Sequence, residues 1–203
     1  MTKSYVSSGQ SIFVFGIDPT NRIAVDSTKE LTAAAECVAG YPLALIAATG
    51  KLNTTASATG DMFYGASSSN INSLVGRVSL ENWTAARANA ELMGRYTIRP
   101  SVFLDSVQTE TTAHPFCKAT ANRTVSTSDV GKSIHAIVAT VAGGTNATDA
   151  FFGVTMLRWA IDGDGDTVAG FENVGRIVAV RDNQEVEVLL NGASVNYSAS
   201  FTA

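Results

Sequence analysis

The chain has 203 residues and a formal net charge of −4, enough length for one large domain or two small ones with an ordinary buried core. Charged residues make up 16% of it, against a usual value of about 25%, and Lys and Arg nowhere cluster, so a nucleic-acid partner lacks its electrostatic footprint. The longest apolar run, 38–48, contains Gly40 and Pro42 and falls well short of the roughly 20 residues a membrane span needs; residues 1–9 carry no apolar stretch of the kind that marks export.

Taken in order, residues 1–10 read as a loose polar arm. The apolar run 11–17, the turn Asp18-Pro19-Thr20-Asn21 and the partner 22–26 predict a hairpin. Ser27 or Thr28 is placed to cap a short helical turn through 29–36, with continued strand as the alternative. Strands are expected at 43–47 and around Phe63-Tyr64, joined by a polar connection over 50–60, with a further strand or helix entry at 75–80. A helix is predicted over 79–94: Ser79 caps it, Leu80, Trp83, Ala86, Ala90 and Met93 share a face, and Gly94 ends it. Extended chain follows at 95–99 and 101–104, then a Thr/Ser/Asn-rich stretch, 105–128, expected as a long connecting loop. Strands are predicted at 133–140, 150–161, 176–180 and 185–190, with a final one within 195–203, on an edge. Many short strands separated by turn signals mean a mainly β protein, a sandwich or barrel with one or two short helices.

The chain also repeats itself. Gly40 and the apolar run after it align with Gly131 and its run; Asp61-Met62-Phe63-Tyr64-Gly65 aligns with Asp149-Ala150-Phe151-Phe152-Gly153; Val75-Gly76-Arg77-Val78 aligns with Val174-Gly175-Arg176-Ile177. The shared positions are turn glycines, strand formers and core aromatics, not groups that do chemistry. Two related β modules are therefore expected, 1–104 with the arm and the helix near 80–93, and 129–203, with 105–128 between them.

Few motifs point to chemistry. Asp162-Gly163-Asp164-Gly165-Asp166 is a carboxylate cluster in a Gly-rich turn, which makes Asp162, Asp164 and Asp166 weak Ca²⁺ candidates. Thr167 and Asn173 stand where an EF-hand needs Gly and Glu, so a solvated turn is the stronger expectation. Gly131-Lys132-Ser133 resembles the end of a phosphate loop, but Ser126 occupies the position of the required upstream Gly, and its repeat twin is Gly40-Tyr41-Pro42. The two cysteines, Cys37 and Cys117, have no metal-ligand spacing and are expected as separate, semi-buried thiols. His114 and His135 join no Ser/His/Asp or Cys/His set, so neither an enzyme nor a cofactor is expected. Asn-x-Ser/Thr triplets at Asn53, Asn82, Asn122, Asn146 and Asn196 are read as accidents of composition.

Residues 127–136, Phe152-Gly153-Val154, 174–180 and 185–190 together resemble the small β-rich head decoration proteins of tailed bacteriophages, and the first copy, through 39–45, Gly50-Lys51-Leu52 and 58–66, is similar to them in character. The helix near Trp83 and the doubled module depart from that pattern. The resemblance implies a virion protein made in the host cytoplasm and carried on the outer surface of the capsid. It would cement the shell by bridging major capsid subunits, as a dimer or trimer, with no membrane or nucleic-acid partner. Residues 1–10 and 105–128 are then the expected contact segments. The alternatives are a neck, tail-tube or fibre-base component, and a lectin- or adhesin-like module using the Asp162–Asp166 loop.

Overall fold

The computed structural model describes residues 24–26, 29–32, 39–67, 90–104, 110–141, 151, 153–181, 184–191 and 195–203. They are mostly β, in antiparallel sheets, and the helical element among them is one 3-10 turn, Thr127–Asp129. The strands are β1 (Ala24–Asp26), β2 (Pro42–Ile46), β3 (Lys51–Asn53), β4 (Met62–Ser67), β5 (Ala90–Ile98), β6 (Ser101–Leu104), β7 (Glu110–Ala113), β8 (Cys117–Lys118), β9 (Ala121–Asn122), β10 (Ser133–Thr140), β11 (Thr155–Ile161), β12 (Thr167–Val180), β13 (Val186–Asn191) and β14 (Ser198–Thr202). Ten of them form one sheet in the order β11-β10-β12-β13-β5-β4-β2-β3, with β1 attached to β5 and β14 to β12.

That order is a palindrome. Outward from the β5–β13 seam, one side meets the third, first and second strands of the set β2 to β5, and the other side meets the third, first and second strands of the set β10 to β13. Backbone bonding repeats as well. The Gly40 N–H donates to Ser67 O and the Ser67 N–H to Tyr41 O; the Gly131 N–H donates to Ile177 O and the Ile177 N–H to Lys132 O. Gly40 (φ +95°) and Gly131 (φ +90°) occupy the left-handed region that lets the chain turn into β2 and β10. The bonding equates Ser67 with Ile177 and hence Gly65 with Gly175, which corrects part of the sequence alignment. The Asp61 motif lies on β4, while Phe151 and Gly153 form a turn before β11, a different place in the second unit. The third matched segment, 75–78, lies outside the described residues.

Apolar alternation explains the layering. Along β2, Leu43 and Leu45 face one cluster with Leu31 and Leu52, while Ala44 and Ile46 face the central core. Along β10, Ile134, Ala136 and Val138 face the central core, while Ile137 and Ala139 meet Cys117, Val168 and Ala203 on the other side. The central core draws Phe63 and Ala66 from one half and Trp159, Leu157 and Phe171 from the other, so the sheet folds back and packs on itself as a sandwich. Among the described residues the strand ladder does not close into a barrel: β3 and β11 are its two ends.

Several expectations are corrected. The end of the predicted helix, Ala90, Met93 and Gly94, lies in strand β5; positions 79–89 are outside the described residues. Helical spacing loses there because β5 pairs with β1, β4 and β13, and Gly94 (φ +102°) bends a strand opposite Leu190 instead of ending a helix. Residues 29–32 are extended, with Leu31 bridged in parallel to Leu52, so strand prevails over a helical turn there. The 22–26 strand exists as β1 but pairs with β5; its expected hairpin partner lies outside the described residues. The 105–128 stretch is not one long loop, since it carries β7, β8 and β9, and the 50–60 connection carries β3.

Strand β12 is bent where it passes from β10 and β14 to β13. Gly170 (φ +149°) makes this possible: a Cβ there would sit 2.2 Å from Ala136 O and 2.7 Å from Ile137 Cα, both backbone atoms that cannot yield. Gly163 (φ +91°) has nothing within 4 Å of the same added atom. Gly170→Ala is therefore expected to lower unfolding stability by about 3 kcal/mol or more, and Gly163→Ala by only about 1 kcal/mol, in urea melts of the two variants; equal losses would contradict this packing.

Candidate functional site

The densest polar construction joins the 114–132 segment to the second module. After β9 the chain exits at Arg123, whose backbone N–H bonds Phe116 O at 3.1 Å. Its guanidinium forks onto Asp129, with Nη1 to Oδ2 and Nη2 to Oδ1 both at 3.1 Å, and its Nε lies 2.8 Å from Asp164 Oδ2. Asp129 also accepts the Ser126 N–H at 3.0 Å and Lys132 Nζ at 2.8 Å. Bidentate, charge-assisted pairs of this kind are the strong ones. Burial alone would raise the Asp129 pKa, but Arg123, Lys132 and the Ser126 N–H outweigh it and hold the carboxyl well below the ordinary range.

This network decides where the aspartate-rich loop goes. Asp164 turns its carboxylate to Arg123, with Lys118 Nζ at 3.9 Å; Asp162 is exposed; and the loop backbone is tied down by the Ala203 N–H donating to Asp166 O and the Gly165 N–H donating to Ala203 O. No group of three or more His, Cys, Asp or Glu side chains able to hold a metal ion is found among the described residues. The arrangement clamps the loop to the 114–132 segment.

Other singled-out residues also occupy folding roles. Asp61 accepts the N–H groups of Ala47, Ser57 and Ala58, each at 3.1 Å. Burial pushes its pKa up, yet these three bonds leave it lowered, as befits a carboxylate that holds a turn. Gly131 makes a turn, and Lys132 reaches Asp129. Cys117 is buried on the outer face of the second module, and Cys37 lies outside the described residues. His114 contributes its carbonyl oxygen to Arg158 Nη1 at 2.6 Å.

His135 is a buried titratable group of the second module. Its Nδ1 accepts the Asn173 N–H at 3.0 Å, its ring lies 5.3 Å from that of Phe201, and its buried Nε2 has no hydrogen-bond partner. Burial lowers its pKa, against the opposing pull of Asp162, Glu172 and Asp164. Comparison with family models, with curated proteins and with solved structures returns no match. The role of these residues is therefore argued from their own geometry.

Residue typing alone did not point to Arg123, Asp129 or Asp164 as one network. One signal was present: Ser126 and Asp129 have the Ser-x-x-acid spacing of a capping box. Nothing local indicated that Arg123 would meet a carboxylate 41 residues away.

Two pH windows follow. The His135 imidazole resists protonation when folded, so its contribution is complete above about pH 6.5 and is lost as pH falls below that value. Asp129 is held ionised when folded, so its contribution is complete above about pH 4 and is lost on further acidification through its lowered pKa. In urea melts across pH, His135→Asn, which keeps an acceptor for the Asn173 N–H, should flatten the first step and spare the second. Asp129→Asn should leave the first step in place and lower stability near neutrality by about 2 kcal/mol or more; an unchanged profile in either variant contradicts the assignment.

Proposed function

We propose that this chain is a structural virion protein that decorates a bacteriophage capsid from outside and cements it by bridging major capsid subunits. The observation that carries this reading is the palindromic sheet. Two units of one strand order, paired through the β5–β13 seam and packed on a shared core, make a stiff body whose two units are alike, and a bridge between repeated neighbours needs such a body. The likeness to head decoration proteins in 127–136, 174–180 and 185–190 supports the same role. So does a weakly charged surface rich in Ser, Thr, Asn and Gly. The arm at 1–10 and the 105–128 segment are the proposed contacts with the shell. Self-association as a dimer or trimer belongs to the same proposal.

The test is size-exclusion chromatography with light scattering on the purified chain, followed by electron microscopy of the same sample mixed with capsids from its source. Discrete small oligomers that occupy regular positions on the shell are the expected result. Rings, tubes or fibres built from the chain alone, with bare capsids, would replace this reading with that of a tail or fibre component.

A further inference from the structure

The solvent face of the β5–β13 seam gathers cations that the sequence keeps apart. Arg176 of β12 stands directly opposite Leu189 of β13, and Leu189 directly opposite Arg95 of β5, so the three residues lie abreast across neighbouring strands. Strand alternation fixes which face this is. Ile177, Val188, Leu190 and Tyr96, the sequence neighbours of that row, all lie in the central core, so the row itself points away from it. One pair along, Met93 stands opposite Asn191; Met93 is 46% exposed, one of two large apolar side chains so exposed among the described residues. In the other direction, Glu187 takes Arg95 on one oxygen and Arg181 on the other, each at 3.1 Å.

Charge does not balance within this set of residues. The guanidiniums of Arg95, Arg176 and Arg181 stand against the single carboxylate of Glu187. Glu187 is buried, while the side chains of Arg95 and Arg181 bonded to it stay 43% and 57% exposed. Arg176 is exposed and has no acidic partner among the described residues. Glu185, at the start of the same stretch, is already matched by Arg99 at 2.9 Å. The result is a local excess of positive charge around half-buried Leu189 and exposed Met93, on a chain whose net charge is −4. Arg and Met are the side chains that protein interfaces favour over the rest of the surface. A guanidinium held in place by a buried carboxylate keeps further N–H groups free, in a planar fork that fits a second carboxylate. A nucleic acid fits less well, because its phosphates call for a long cationic track and its bases for aromatic platforms, whereas the centre of this row is aliphatic.

We propose that the solvent face of the seam docks an acidic polypeptide segment of a partner protein, with carboxylates on Arg95 and Arg176 and an apolar side chain between them on Leu189 and Met93. The two arginines lie on strands two spacings apart, about 10 Å, which leaves room for that apolar group. The surface does not depend on the capsid reading, which places its contacts at 1–10 and 105–128, and it is tested without shells. The ¹H–¹⁵N NMR spectrum of the full chain would be followed while titrating acetyl-Asp-Leu-Glu-Leu-Asp-amide, its uncharged counterpart acetyl-Asn-Leu-Gln-Leu-Asn-amide, and a short oligothymidylate.

Saturable shifts centred on Arg95, Arg176, Leu189 and Asn191 are expected with the acidic peptide, with the uncharged peptide about tenfold weaker. Raising the salt from about 50 to about 300 mM should weaken the acidic peptide severalfold. Arg176→Gln removes an exposed, unpaired cation and should weaken it about tenfold; Met93→Ser should weaken it about threefold. Both positions are exposed, so urea melts of the two variants should match the parent chain. Lys51→Gln, on β3 at the end of the sheet, should leave binding unchanged. Absence of saturable shifts with the acidic peptide, equal binding of the uncharged one, or unchanged binding by Arg176→Gln overturns the proposal. Tighter binding of the oligothymidylate at the same residues also overturns it and makes the face a nucleic-acid contact.

Discussion

Trp159 is the residue on which the two halves of this molecule depend. Its indole Nε1 donates to Gly40 O at 2.6 Å, across 119 residues of chain, and its backbone N–H donates to Pro115 O at 2.8 Å. Its ring meets Phe63 of β4 edge-on at a centroid distance of 6.1 Å. One fully buried residue thus ties β11 through its side chain to the turn that starts β2 and to the core of the first unit, and through its backbone to the 114–132 segment. An aromatic ring supplies the area that drives burial, and the indole N–H supplies direction, because leaving that donor without a partner would offset much of the gain. Aliphatic contacts alone would let the two layers slide; the Gly40 bond sets their position.

The same logic of one polar tie per apolar layer recurs elsewhere. At the seam, the buried carboxylate of Glu187 takes Arg95 of β5 on one oxygen and Arg181 on the other, both at 3.1 Å. Tyr96, on the same strand as Arg95, sends its hydroxyl to Ser67 O at 2.7 Å, joining the seam to β4. At the far side of the second unit, Arg123 collects Asp129 and Asp164, and through them anchors the aspartate-rich turn. These ties fix register, and the apolar clusters to either side supply the larger share of the driving force.

What could be read from the sequence follows from where the determining contacts lie. Strand β10 matches its expected limits because its residues alternate between two apolar layers, so the period of two is written into the strand itself. Leu157, Trp159 and Ile161 share one face as their spacing requires. Strand β5 could not be read in the same way: Ala90, Met93 and Gly94 also fit a helix, and only neighbours distant in sequence decide the matter. Strands β3, β8 and β9 are two or three residues long and owe their form to what they pair with. The duplication was legible at Gly40 and Gly131, where a left-handed glycine is a local need. It was misplaced at Phe63 and Phe151, where likeness of residue type is not likeness of place. The polar network escaped for a related reason, because Arg123 and Asp164 are brought together by the fold and by nothing near them in sequence.

The seam has a consequence for how the chain assembles. Each four-stranded unit pairs strands that are close in sequence, whereas β5 and β13 join Arg95 to Glu187 across 92 residues. Closing so large a loop is entropically slow, so the units can form before they meet. Nothing in the hydrogen bonds of that seam requires its two strands to belong to the same polypeptide. What keeps the pairing within one molecule is the effective concentration set by the intervening chain. At high protein concentration during refolding, the competing product is an exchanged dimer, in which the first unit of each molecule completes its sheet with the second unit of the other.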